Sequence, residues 1–194
     1  MNAIKTLLAG LVLAASTVGA NAATYYANNI VSVTPGTCTG SEAACSWNDR
    51  ENVNNAVDGD DNTFYALGFG GEIVVSFAKA VFTEAQNVSA FEVTFNRMVG
   101  HDEAADVYSI LGGVETFLGT ITNFIDGNSL FAGTDFDSIK LVDVSLREFP
   151  TTSSFDGFDL SAVKVSAVPL PAAGVLLLAG LGGLAAMRRR KTAA

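Results

Sequence analysis

Between Ala90 and Asn96 the chain alternates, with Phe91, Val93 and Phe95 on one side and Glu92, Thr94 and Asn96 on the other. A period of two is the mark of a strand with one buried face. Thr24–Val33 is rich in strand-forming residues and stops at Thr34-Pro-Gly, a turn signal. Glu72–Phe77 (Glu-Ile-Val-Val-Ser-Phe) is nearly continuously apolar, as a core strand buried on both faces would be. Asp106–Leu111 and Val114–Thr122 flank Gly112-Gly113, the pattern of a hairpin closed by a two-residue turn. Ile139–Leu146 and Phe158–Val165 supply two further strands, and Phe64–Leu67 a short one before the glycine-rich turn Gly68-Phe-Gly-Gly71. About eight short strands, with turns every 8–12 residues and no long 3.6-period segment, predict an all-β, antiparallel β-sandwich of jelly-roll type.

The two ends of the chain read differently. Residues 1–22 have the layout of a secretory signal peptide: Lys5, an apolar run from Leu7 to Ala15, and Ala20-Asn-Ala22 as a small-residue cleavage site. Ala23 is then the first mature residue, and residues 23–167 form one domain. At the far end, Val168-Pro-Leu-Pro-Ala172 leads into an uncharged run to Met187, stopped by Arg188, Arg189, Arg190 and Lys191. As a helix, residues 172–187 would be about 24 Å long, just enough to span with cations snorkelling to the head groups. Flanking cations stay cytoplasmic, which places the domain outside. An ordinary C-terminal anchor or a buried helix are the other readings of this segment.

The three parts in this order, proline motif, apolar run and arginine-rich end, resemble a PEP-CTERM sorting signal. Val168-Pro169-Leu170-Pro171-Ala172 is similar to its Val-Pro-Leu-Pro-Ala variant, with Leu170 where the commoner form carries Glu. The resemblance implies recognition by an exosortase-type sorting enzyme, passage through the membrane by the C-terminal helix, and residence at the envelope or in an extracellular matrix. Residues 168–194 are thus expected to form the sorting and transmembrane segment.

Charge narrows the partners. All 20 acids lie between residues 23 and 167, facing six cations there (Arg50, Lys79, Arg97, Lys140, Arg147, Lys164). Such a surface repels nucleic acid and suits neutral sugars, divalent cations or plain solubility. Cys38 and Cys45, the two cysteines of the chain, would close a small disulfide in an oxidising compartment, contributing about 2 kcal/mol. A zinc pair would need more ligands than these and His101, the single histidine.

Ala56-Val-Asp-Gly-Asp-Asp-Asn-Thr-Phe-Tyr65, followed by the glycine turn and Glu72–Phe77, resembles the discoidin or galactose-binding-like β-sandwich. In that family the corresponding loop often binds structural calcium. The resemblance implicates Asp58, Asp60 and Thr63, with Asp61 as an extra carboxylate and Asp159 or Asp156 completing the set. An EF-hand is excluded, because its sixth and twelfth places hold Thr63 and Phe69. A solvated Asp-Gly turn is the plainer reading of the same residues.

No catalytic constellation stands out. His101 sits in Gly100-His-Asp-Glu103 with no nucleophile-elbow sequence to serve. Asp102, Glu103, Asp135 and Asp137 could pair as in a glycoside hydrolase, but their separation is invisible in the sequence. Tyr65 and Phe69, with Trp47 and Tyr108, could offer rings to a glycan, although most aromatics in a sandwich belong to its core. The expectation is a non-enzymatic surface or matrix protein, structural or adhesive. A calcium-dependent carbohydrate-binding module is the first alternative and a hydrolase the second.

Overall fold

A computed structural model describes residues 23–83, 86–93 and 99–168. The expected signal peptide, the sorting motif beyond Val168 and the Arg188–Lys191 stop all lie outside these residues. Among the described residues no helix is long and apolar enough to cross a membrane.

Among the described residues nine antiparallel strands form the domain: β1 Thr24–Thr34, β2 Tyr65–Ala66, β3 Glu72–Phe77, β4 Gln86–Glu92, β5 Ala104–Leu111, β6 Val114–Thr122, β7 Asn128–Ala132, β8 Ser138–Asp143 and β9 Asp159–Ala167. One sheet runs β6-β5-β8-β3-β1 and the other β1-β9-β4-β7, with β2 added to β9. The long strand β1 belongs to both. Thr24–Tyr26 pairs with β9, and from Ala27 onward β1 pairs with β3, across two register shifts. A strand that changes sheets through bulges is how a sandwich turns a corner. Ile73 and Val75, Ile139 and Leu141, and Leu160, Val163 and Val165 fill the space between the layers. Phe82 plugs one side, meeting Tyr25, Phe77 and Phe136 at centroid distances of 5.0–5.4 Å.

The sandwich agrees with the sequence pattern, and three local expectations need correcting. The alternating strand begins earlier than expected, at Gln86, and its core positions are Val88 and Ala90 rather than Phe91. Phe91 is half-buried, with the Lys164 ammonium 4.7 Å from its centroid. Alternation from Val88 and Ala90 turns Phe91 to the other face, and a register shift follows it, where Phe91 faces Ala162 but Glu92 faces Leu160. The strand expected over Ile139–Leu146 ends at Asp143, because a short helix, Ser145–Glu148, follows it. Strand β7 lies where the sequence pattern predicts none, because polar Asn128 and Ser129 open it.

Candidate functional site

The segment between β1 and β2 builds one wall of a cleft. Ser41 caps a single helical turn, Glu42–Cys45, by accepting the Ala44 N–H at 3.2 Å. Cys38 and Cys45 are disulfide-bonded across that turn, as their spacing suggested. A tight turn follows in which Asn48 and Asp49 both have left-handed backbones, φ 55° and 57°. Asn and Asp tolerate that region better than other residues with a Cβ. The turn separates its two large neighbours: Trp47 is 59% exposed, whereas Arg50 is buried.

Arg50 is the hub of the site. Its guanidinium carbon lies 5.0 Å from the Phe64 centroid and 5.2 Å from that of Phe155. Nε donates to the Ala44 carbonyl at 3.2 Å. Nη1 reaches Asp156 Oδ2 at 3.1 Å and Asp159 Oδ2 at 3.6 Å. A planar, weakly hydrated cation suits this aromatic and carboxylate surrounding better than a lysine would.

A second wall comes from the approach to β5. His101 Nε2 is 2.9 Å from Glu103 Oε1, which also accepts the Ser154 hydroxyl at 2.7 Å. The His101–Glu103 stretch is fixed by Asn123, whose side-chain amide donates to the His101 carbonyl at 2.7 Å and whose Oδ1 accepts the Glu103 N–H at 3.0 Å. The Thr39 N–H donates to the Phe155 carbonyl at 2.7 Å, and the Ser153 N–H to the Gly100 carbonyl at 2.7 Å. Three loops are thereby stapled around one opening, where β4 ends and β5 and β9 begin. The cleft has a volume of about 550 Å³ and is lined by Trp47, Phe155, Arg50, His101, Ser153 and Asp159, with Ala43 and Ala44 beside them.

Below it lies an unusual density of buried acid. Glu103 is 0% and Asp159 2% exposed, and one oxygen from each approaches within 4.8 Å of the other and of one from Glu92. Burial pushes Glu103 well above the ordinary carboxylate range, and the charge of Glu92 adds to it. Asp159 is also raised well above its ordinary value by burial, then by the charges of Glu103 and Asp156. Asp156 rises with burial, against the pull of Arg50. Asp143 differs: it too is raised by burial, but it takes the Ser145 hydroxyl at 2.6 Å and the N–H groups of Phe158, Gly70 and Ser145. It is a loop staple.

The residues singled out from sequence fall in several places. Asp58, Asp60 and Thr63 do come together. The Thr63 hydroxyl donates to Asp58 Oδ2 at 2.7 Å and to the Asp60 carbonyl at 3.1 Å, while Asp58 Oδ1 accepts the Asp60 N–H at 2.8 Å. Asn62 donates twice to Asp60 Oδ1, which holds Asp60 below its ordinary range. These carboxylate oxygens already accept the loop's own donors. Asp159 converges with Glu92 and Glu103 instead, because β9 starts it at the cleft floor. The expected glycan contacts do not line this cleft, and both are largely buried, Tyr65 at 4% and Phe69 at 8% exposed. Tyr65 pairs with Leu160 in the sheet, and Phe69 is bridged to Thr37. Sequence reasoning named Trp47, Glu103, Asp156 and Asp159 but missed Arg50, Phe155, Glu92 and the convergence of the acids. The signal was present in a lone arginine amid acids, two of them near Phe155.

The fold and site together define a β-sandwich with a loop-built, aromatic-edged cleft at one end. No family model and no curated protein matches the chain. Solved structures that resemble it include the family 32 carbohydrate-binding module of Clostridium perfringens NanJ in complex with galactose. That module is 14% identical, with 75% of this chain and all of that one covered, at a TM-score of 0.45. The C-terminal domain of a Bacteroides fragilis chitobiase is 15% identical, with 69% and 92% covered, at a TM-score of 0.44. A chain from the complex of reduced XRCC1 with the DNA polymerase β catalytic domain is 15% identical, with 76% and 100% covered, at 0.45.

Proposed function

We propose that this protein is an exported, non-catalytic glycan-binding module whose ligand site is the end cleft. The observation that carries the reading is Trp47, exposed at the rim beside Phe155, with the polar groups of His101, Ser153 and Asp159 within the same opening. A sugar ring has an apolar face that stacks on an indole and equatorial hydroxyls that seek fixed acceptors and donors. The cleft supplies both, on loops held by the disulfide and by backbone hydrogen bonds. The acid-rich domain favours neutral sugars over uronates or sulfated chains.

A hydrolase built on Glu103 and Asp159 is the weaker reading. Both are almost fully buried, and a glycosidic bond must lie between two carboxylates that it can touch. The Val168–Ala172 motif and the Arg188–Lys191 block support delivery to the envelope through an exosortase-type enzyme and a C-terminal membrane segment. The disulfide fits an oxidising compartment.

A glycan array probed with the purified protein tests the binding reading. Saturable binding to neutral glycans, reduced at least tenfold by Trp47→Ala, is expected from the loss of a single aromatic anchor. Silence across the array, or equal binding by Trp47→Ala, would leave the cleft without a glycan role and favour a purely structural protein.

A further inference from the structure

We propose that Glu92, Glu103 and Asp159 form a binding site for a hard divalent cation beneath the cleft. Three carboxylates on β4, at the start of β5 and at the start of β9 present oxygens that all lie within 4.8 Å of one another. All-oxygen, all-anionic ligation is also what a hard cation selects.

Acid clusters are common, and a second observation separates this one from a solvated patch. Glu103 Oε2 and Asp159 Oδ1 are buried and accept no hydrogen bond. A buried carboxylate oxygen without a donor is costly, and the cost is removed by a bound cation or a proton. The neighbouring cations do not supply the difference. Arg50 is shared with Asp156, which it approaches more closely, at 3.1 Å against 3.6 Å for Asp159. His101 faces Glu103 Oε1 and not Oε2. Among the described residues, Asp156 and Asp159 thus divide the charge of Arg50 between them. The inference stands on this cluster alone and holds whether or not the cleft takes a sugar.

Terbium, a luminescent stand-in for calcium, tests it on the full chain in detergent. Trp47 is the chain's single tryptophan and lines the same cleft as Asp159, so it serves as the antenna. Saturable sensitised emission, displaced by calcium, is expected, with affinity at least tenfold weaker in Glu103→Gln and in Asp159→Asn. Absence of saturable emission would overturn the proposal. So would a tenfold loss in Asp60→Asn with Glu103→Gln unchanged, which places the ion in the Asp58–Thr63 loop. Should circular dichroism show the two buried variants unfolded, Glu92→Gln decides, because Glu92 is only half-buried. Its affinity must fall at least tenfold, and an unchanged value overturns the site.

Discussion

Arg50 shows how one residue can organise a site. Its charge holds Asp156 and Asp159, its plane lies between Phe64 and Phe155, and its Nε closes on the disulfide loop. Removing one partner from a buried ion pair leaves uncompensated charge, so Arg50→Met is expected to cost roughly 3 kcal/mol in chemical denaturation. A loss below about 1 kcal/mol would mean the acids neutralise without it. The acids give a pH signature of definite sign. Glu103 and Asp159 have folded-state values raised by burial, so above the ordinary Glu value of 4.5 the folded protein holds more protons than the unfolded chain. Stability then falls as pH rises through that range. With chelator present, the melting temperature is expected to climb as pH drops from about 8 towards 5, and Glu103→Gln to flatten the slope. A melting temperature that falls over the same interval would contradict the burial argument.

At the scale of elements, the turn before β3 depends on close backbone approach. A Cβ on Gly71 would sit 1.9 Å from the Leu67 carbonyl oxygen and 2.6 Å from the Gly36 nitrogen. The Gly36 N–H donates to that same Leu67 carbonyl at 2.8 Å, so neither can yield without losing a bond. Gly71→Ala is expected to destabilise by roughly 2–3 kcal/mol, read from the urea midpoint. Gly59 has open space around it but a left-handed backbone, φ 77°, so a substitution there is strained by conformation rather than by contact. Reducing the Cys38–Cys45 bond should cost about 2 kcal/mol and, by loosening the turn that carries Trp47, weaken any ligand of the cleft.

The strands were largely legible, because β3, β5 and β9 carry patterns that burial explains and β6 is announced by the two-glycine turn before it. The phase of β4 was not, since the small Ala90 and Val88, rather than the larger Phe91, take the core positions. The site was legible only in part. Trp47 stood out as a rare residue, but Glu92, Glu103 and Asp159 are far apart in sequence and meet through sheet topology. Tyr65 and Phe69 misled for the complementary reason. They flank a glycine-rich loop, yet pairing with β9 and bridging to Thr37 bury both.

On the scale of the whole molecule, the sandwich concentrates its charge asymmetry in one domain and its candidate chemistry at one end. The 20 acids against six cations between residues 23 and 167 keep polyanions away, while the loops at the cleft gather aromatic and hydroxyl-seeking groups. Export is open to direct observation. Mass spectrometry of the protein from its host is expected to find Ala23 as the first residue, and an intact Met1 would contradict the leader reading.

The end cleft is the proposed ligand site. Its most direct measurement follows the indole N–H resonance of the single tryptophan during titration with the best neutral glycan from the array. Trp47 should shift saturably, along with backbone resonances of His101, Ser153 and Phe155. A stationary indole, with shifts gathered on another face of the sandwich, would contradict the cleft as the site.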